Sequence, residues 1–275
     1  MRNAKSQLFL PLIAFLLICA LPSWAGSIFV SGHDSDFHAQ SGNTIGAQDI
    51  INAALGFTRD GNTKPILVIQ TDLSNLGLGD HLDSVTGLID SGYSAGTTNG
   101  NHFVVVNATT FGTTNLSDYS AIFIPSDHGG TLTNGDLTAL DARATDIISY
   151  LNGGGGLVAF AEDGFHTGGN SAQLFGFLPF LVSSTAAEQF ESGNTLTAFG
   201  ASLGLTNADI NTNFSHNIFT STGGMTVVDQ TPNGDVLSLA FRGHIGVTGV
   251  PEPGSLALLG AGLLGMLAKM RRKNA

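Results

Sequence analysis

The chain is 275 residues long, carries a formal net charge of −11 and contains a single cysteine. That length suits one large domain with a sizeable core. The acidity argues against nucleic acid and anionic lipid as partners, and a lone cysteine excludes an intrachain disulfide.

At the N-terminus, Arg2 and Lys5 precede an apolar run from Leu8 to Leu21, and Ser23-Trp24-Ala25 sets small residues at the offsets for cleavage before Gly26. This is the pattern of a secretory signal peptide, residues 1–25, cut by signal peptidase. Cys19 lies inside it, and Ile18 stands where a lipoprotein signal needs a small residue. The exported chain is therefore expected to be thiol-free, with no cysteine nucleophile. Between Gly26 and Gly249 the basic residues are Arg59, Lys64, Arg143 and Arg242, against the 20 acidic ones that remain once Glu252 is set aside, a balance of −16. Such a surface keeps a protein soluble and suits an extracellular matrix rich in cations.

Within 26–249 apolar runs alternate with helical periodicity. Ser27–Val30, Pro65–Gln70, His102–Asn107, Ala121–Pro125 and Leu157–Ala161 read as strands; Ala47–Leu55 and Leu82–Ile89 read as helices. Leu137, Leu140, Ala144, Ile147, Ile148 and Leu151 share one face of a single amphipathic helix, with Asn134 or Asp136 as its cap and Asn152-Gly153 as its end. Leu174 to Leu181 reads as a short helix running into a strand. Thr226–Asp229 and Val236–Phe241 read as a hairpin turned by Pro232-Asn233-Gly234. Strands apolar on both faces and separated by helices predict an α/β fold, a mainly parallel flavodoxin-like sheet covered on both sides.

In such a sheet, ligands collect beyond the carboxyl ends of the strands. Three predicted strands run into polar loops there: Gly32 to His38, Ser126 to Gly130, and Glu162 to His166. His33, Asp36, His38, His128, Glu162 and His166 are ligand types for a divalent metal such as zinc, manganese or iron, although no pair has a diagnostic spacing. The same loops can equally be polar ends without a ligand, or a glycan-binding edge. Glu162 with Asp127 can also act as the acid and base of a glycoside hydrolase if suitably separated.

Asp118-Tyr119-Ser-Ala-Ile-Phe-Ile-Pro125, followed by Gly129-Gly130, a helix and Gly154-Gly155-Gly156-Leu-Val-Ala-Phe-Ala161, resembles the core of class I glutamine amidotransferase-like domains, nearest to the trehalose-utilisation type. Ile28–His33 and His216-Asn217-Ile218 extend the likeness over roughly Ser27 to Val228. The resemblance implies an oxyanion-loop strand followed by a nucleophile elbow near Glu162. Ala161-Glu162-Asp163-Gly164 holds no cysteine there, and no histidine-x-glutamate pair follows, so glutaminase chemistry is excluded for want of a sulfur nucleophile.

The last segment, 250–275, has three parts. Pro251-Glu252-Pro253 comes first, then an uncharged stretch from Leu256 to Ala268, then Lys269, Arg271, Arg272 and Lys273. A helix of that stretch spans about 20 Å, short of the roughly 30 Å of hydrocarbon, and the basic cluster can snorkel and stay cytoplasmic. The order of parts resembles the PEP-CTERM sorting signal of Gram-negative bacteria. That resemblance implies exosortase as partner, transient anchoring in the inner membrane by a short transmembrane helix, and delivery to the cell surface or exopolysaccharide matrix. On this reading the domain is a non-enzymatic binder of glycan or cations; the alternative is a metal-dependent or carbohydrate-active hydrolase.

Overall fold

The computed structural model describes residues 26–71, 84–128, 131–165 and 174–246. The expected signal peptide, the sorting tail and His166 lie outside the described residues. The chain divides into two compact units, 1–244 and 245–275, and every element below belongs to the first. Among the described residues, no helix is long and apolar enough to cross a membrane.

Six strands form a parallel half-sheet: β1 (Gly26–Ser31), β2 (Ile66–Ile69), β3 (Ser94–Ala95), β4 (His102–Val106), β5 (Ala121–Ile124) and β6 (Gly156–Ala159). Their order is β3-β4-β2-β5-β6-β1. Beyond β1 the sheet turns antiparallel. β1 pairs with β11 (Val236–Gly243), β11 with β10 (Thr226–Gln230), and β10 with β8 (Thr195–Leu196). β9 (Phe214–Thr222) touches β11 at Phe219–Val236 and pairs along its length with β7 (Val182–Phe190).

The sheet is therefore mixed, which corrects the expectation of a mainly parallel, flavodoxin-like one. β1 is buried at every position because it is central, flanked by parallel β6 on one side and antiparallel β11 on the other. Apolar residues on both faces report burial on both faces, not the direction of the neighbours.

Helices cover the two faces. α1 (Ser35–His38) opens directly off β1, and α2 (Thr44–Arg59) follows. The Asn43 side chain accepts from Gly46 N to cap α2, and Asp60 closes it in the left-handed conformation. Ala47, Ile50, Ile51, Ala54 and Leu55 of α2 pack on Phe29, Val68, Phe123 and Val158. The alternate strand residues Ile28, Val30, Leu67, Ile122 and Leu157 are buried towards the other side. α3 (Ser84–Asp90) and α4 (Ala108–Phe111) complete the crossovers among β2, β3, β4 and β5.

The single helix predicted around Leu137–Leu151 is two, α5 (Asn134–Ala142) and α6 (Ala144–Asn152). They break at Arg143, whose backbone leaves the helical region (φ −107°, ψ 15°). Its guanidinium donates to the carbonyls of Phe111 (2.6 Å) and Thr114 (2.8 Å) and to Asp146 (2.9 Å). The cap is Thr133, in a reciprocal box with Asp136, rather than Asn134 or Asp136. α6 packs on β1. Leu174 to Phe180 forms turns and bends rather than a helix, and α7 (Ala198–Ser202) packs beside β10.

Candidate functional site

β5, β6 and β1 are direct neighbours, so the loops leaving their carboxyl ends emerge side by side. Gly32 lets a fourth element close over them. A Cβ at this position would lie 2.1 Å from the carbonyl oxygen of Asn217, so a side chain there would keep β9 away. With glycine, His216 N donates to Gly32 O at 2.8 Å and Ser215 bridges to His33. Asn217 then clamps the end of β6: Glu162 N donates to its Oδ1 (2.6 Å) and its Nδ2 donates to Glu162 O (2.7 Å). β9 thus lies against the residues that follow β1 and β6.

The candidate metal ligands His33, Asp36 and His38 are each engaged by other protein groups. His33 is buried between two carboxylates, with Nδ1 on Glu191 and Nε2 on Asp229 at 2.7 Å. Burial alone would lower its pKa, but Glu191 and Asp229 outweigh it and hold the ring well above its usual range, as an imidazolium. Burial in turn raises the Glu191 carboxyl, against the pull of His33. Both ring nitrogens are engaged by carboxylates. His38 directs Nδ1 to Ser41 O (2.9 Å) and accepts from Phe214 N at Nε2 (3.2 Å), with Asp34 Oδ1 at 3.2 Å from the same nitrogen. Asp36 is fully buried; its Oδ2 accepts from the Ser84 hydroxyl (2.6 Å) and from Ser126 N (3.1 Å), tying α3 to the β5 loop. These three residues hold loops together.

Glu162 and Asp127 do not form an exposed acid–base pair. Both are fully buried. Asp127 accepts from Asp163 N and Gly164 N, each at 2.9 Å, and so shapes the loop after β6. Glu162 Oε2 accepts from Phe175 N at 2.6 Å, and burial raises its carboxyl well above the usual range. The site expected for an elbow nucleophile shows no strained geometry either: the described non-glycine residues with positive φ are Asp60, Phe175 and Thr212.

His128 is the candidate ligand that the fold brings into a cluster, and its companions are residues the sequence reading did not assign to a metal. Its Nδ1 bonds Asp163 Oδ2 at 2.7 Å, and its ring stacks on His216 with centroids 3.9 Å apart and planes 9° from parallel. Phe165 covers part of the His128 ring, centroid to centroid 4.6 Å. The bond to Asp163 raises His128 above its ordinary value, against its partial burial. For Asp163 burial works upwards, but the bonds to His128 and its neighbours keep the carboxyl low.

His216 is only 4 % exposed. Its Nε2 lies 3.2 Å from Asp34 Oδ2, and its Nδ1 is buried with no hydrogen-bond partner among the described residues. Asp34 stays ionised: its burial is outweighed by His216 and His38, which lower it. Glu188 comes from β7, where the register slips between Ala186 and Gln189, a bulge opposite His216. Such a bulge re-aims a side chain. One ligand atom each from His128, Glu188 and His216 falls within 4.8 Å of the others. Chemically, this arrangement offers two imidazoles and a carboxylate, each imidazole backed by a second carboxylate.

The opposite end of the parallel strands carries a cleft of about 670 Å³, lined by Arg59, Lys64, Tyr119, Tyr150 and Gly153–Gly155. Its two cations are engaged in the fold: Arg59 donates to Ser120 Oγ (3.0 Å) and Gly100 O (2.7 Å), and Lys64 to Ser117 O (2.7 Å).

Residues 249–273 match the PEP-CTERM protein-sorting motif. The match supports an exosortase substrate and implies export with a membrane-anchored C-terminal sorting signal. No curated protein and no solved structure matches the chain, so the amidotransferase-like resemblance of the central domain gains no support from known proteins.

Proposed function

We propose that this chain is an exported protein whose tail is processed by exosortase and whose α/β domain works at the cell surface or in the exopolysaccharide matrix, binding cations at the strand-end site. The observation that carries this reading is the sorting motif at 249–273. The excess of acidic over basic residues between Gly26 and Gly249 is in keeping with a cation-rich exterior. The amino-terminal segment supplies the matching export signal. The reading assigns no catalysis. The sulfur chemistry of glutaminases is out of reach, because the single cysteine precedes Gly26.

A second reading, a metal-dependent hydrolase, is favoured by one observation. Three side chains at one strand-end edge would leave coordination positions of a bound ion open to water or substrate. The sorting reading is tested by changing Pro251, Glu252 and Pro253 together to alanine in the exporting bacterium. The altered protein should keep its tail and stay in the membrane fraction; normal cleavage and release would overturn the assignment.

A further inference from the structure

We infer that His128, His216 and Glu188 form a binding site for one first-row transition-metal dication of the zinc class. This rests on the cation-binding part of the proposed function and names its residues and its metal.

The case starts with the two rings. His128 engages Nδ1 with Asp163, which leaves Nε2; His216 faces Asp34 through Nε2, which leaves Nδ1. Metal-bound imidazoles almost always have the second nitrogen bonded to a carboxylate or carbonyl, which fixes the tautomer and raises ligand basicity. Both rings here have that backing, from the Asp163 and Asp34 carboxylates at 2.7 and 3.2 Å. The His216 Nδ1 supplies an independent observation: it is buried and makes no hydrogen bond among the described residues. A ring nitrogen hidden from water without a partner costs free energy, and a metal ion is one partner that removes the cost. Glu188, placed by its bulge, supplies the third donor, and being exposed it can swing onto an ion without breaking the fold.

The donor set selects the metal. Two imidazoles and one carboxylate suit zinc, iron, nickel or manganese, whereas calcium asks for six to eight oxygens. Three protein ligands leave a tetrahedral ion one position for water. The stacked rings impose one requirement. In-plane lone pairs of two parallel rings cannot meet on a single ion, so capture turns one ring. His128 is the one that turns, because it is half-buried on a loop while His216 is buried within β9. Metal binding therefore undoes the His128–His216 stack.

The test uses the full-length chain in detergent, stripped with EDTA and titrated calorimetrically with zinc chloride or calcium chloride alone. Wild type should bind one zinc per chain and show ring-proton shifts at His128 as the stack opens. Glu188→Gln should bind at least ~10-fold more weakly and His128→Ala about 100-fold more weakly, while His102→Ala, changed at the start of β4, should match wild type. Glu188→Gln is an exposed change, so its melting temperature in EDTA should equal that of wild type; this separates lost ligation from lost folding. Zinc affinity that survives in both Glu188→Gln and His128→Ala overturns the site. Calcium binding without zinc binding also overturns it, but leaves the cation reading standing. Failure to bind either ion overturns both.

Discussion

The close approach of β9 to Gly32 makes a sharp prediction for Gly32→Ala. The new Cβ would sit 2.1 Å from Asn217 O and 2.8 Å from its carbonyl carbon, where real Cβ atoms keep beyond 3.0 Å. The neighbour is backbone within a paired strand, so it cannot rotate aside, and β9 must retreat by about 1 Å. Overpacking of this kind costs about 1–3 kcal/mol, and stretching the bond from His216 N to Gly32 O adds about 1 kcal/mol. At roughly 2–4 °C per kcal/mol for a domain of this size, the melting temperature should fall by about 5–15 °C. Differential scanning calorimetry in EDTA measures it, and Gly56→Ala is the control. Gly56 lies exposed in α2 with nothing within 4 Å of an added Cβ. That change should instead stabilise by about 0.5–1 kcal/mol, because alanine is the better helix former. If Gly32→Ala melts within about 2 °C of wild type, β9 does not close on the strand-end loops as described.

Other outcomes follow from the buried charges. His33→Ala strands Glu191 and Asp229 facing each other without a cation, and should cost about 3–5 kcal/mol in urea unfolding; a loss under 1 kcal/mol would mean the triad is not formed. Stability should fall from pH 6 to pH 9 in EDTA. His33 is raised, so its contribution is complete below about 6.5 and is lost as pH climbs through its folded value. Burial also raises the Glu162 carboxyl well above the usual range and lifts Asp141 to about 6, so each binds its proton more tightly in the folded chain than in the unfolded one, and the slope has the same sign. Asp34 and Asp163, held low, work the other way, and their contribution is lost only as pH falls below about 4. A melting temperature that is flat or rises between pH 6 and pH 9 contradicts this balance. Asp127→Ala should loosen the loop after β6 by removing the acceptor for Asp163 N and Gly164 N, and amide exchange at those two positions should accelerate; unchanged protection there counts against the assigned role.

Local signals in the sequence carry the parallel half of the sheet. Ile66–Ile69, Ala121–Ile124 and Gly156–Ala159 are short apolar runs, and each is a strand buried at every position. The polar loops that follow β1, β5 and β6 were legible for the same reason. β7 and β9 were not. Val182–Phe190 has no apolar run, half-exposed positions throughout and a bulge that breaks its alternation, so its partner is set by a long-range pairing that leaves no local trace. Glu188 and His216 lie on those two strands, so neither could be assigned to the cluster from spacing. The surroundings of His33 and His38 were equally invisible in the sequence. The residue types suit a metal, but Glu191 and Asp229 come from distant segments to enclose His33, and Asp34 with the backbone of Ser41 and Phe214 encloses His38. The break at Arg143 was hidden because the apolar spacing runs on through it, while its side chain is drawn away to Phe111 and Thr114.

X-ray diffraction from zinc-soaked crystals, recorded above and below the zinc absorption edge, bears most directly on the strand-end site. The account predicts one strong anomalous peak at about 2.0–2.1 Å from His128 Nε2 and His216 Nδ1, with a Glu188 oxygen at about 2.0–2.2 Å. A peak elsewhere on the acidic surface, with the His128–His216 stack intact, would contradict it.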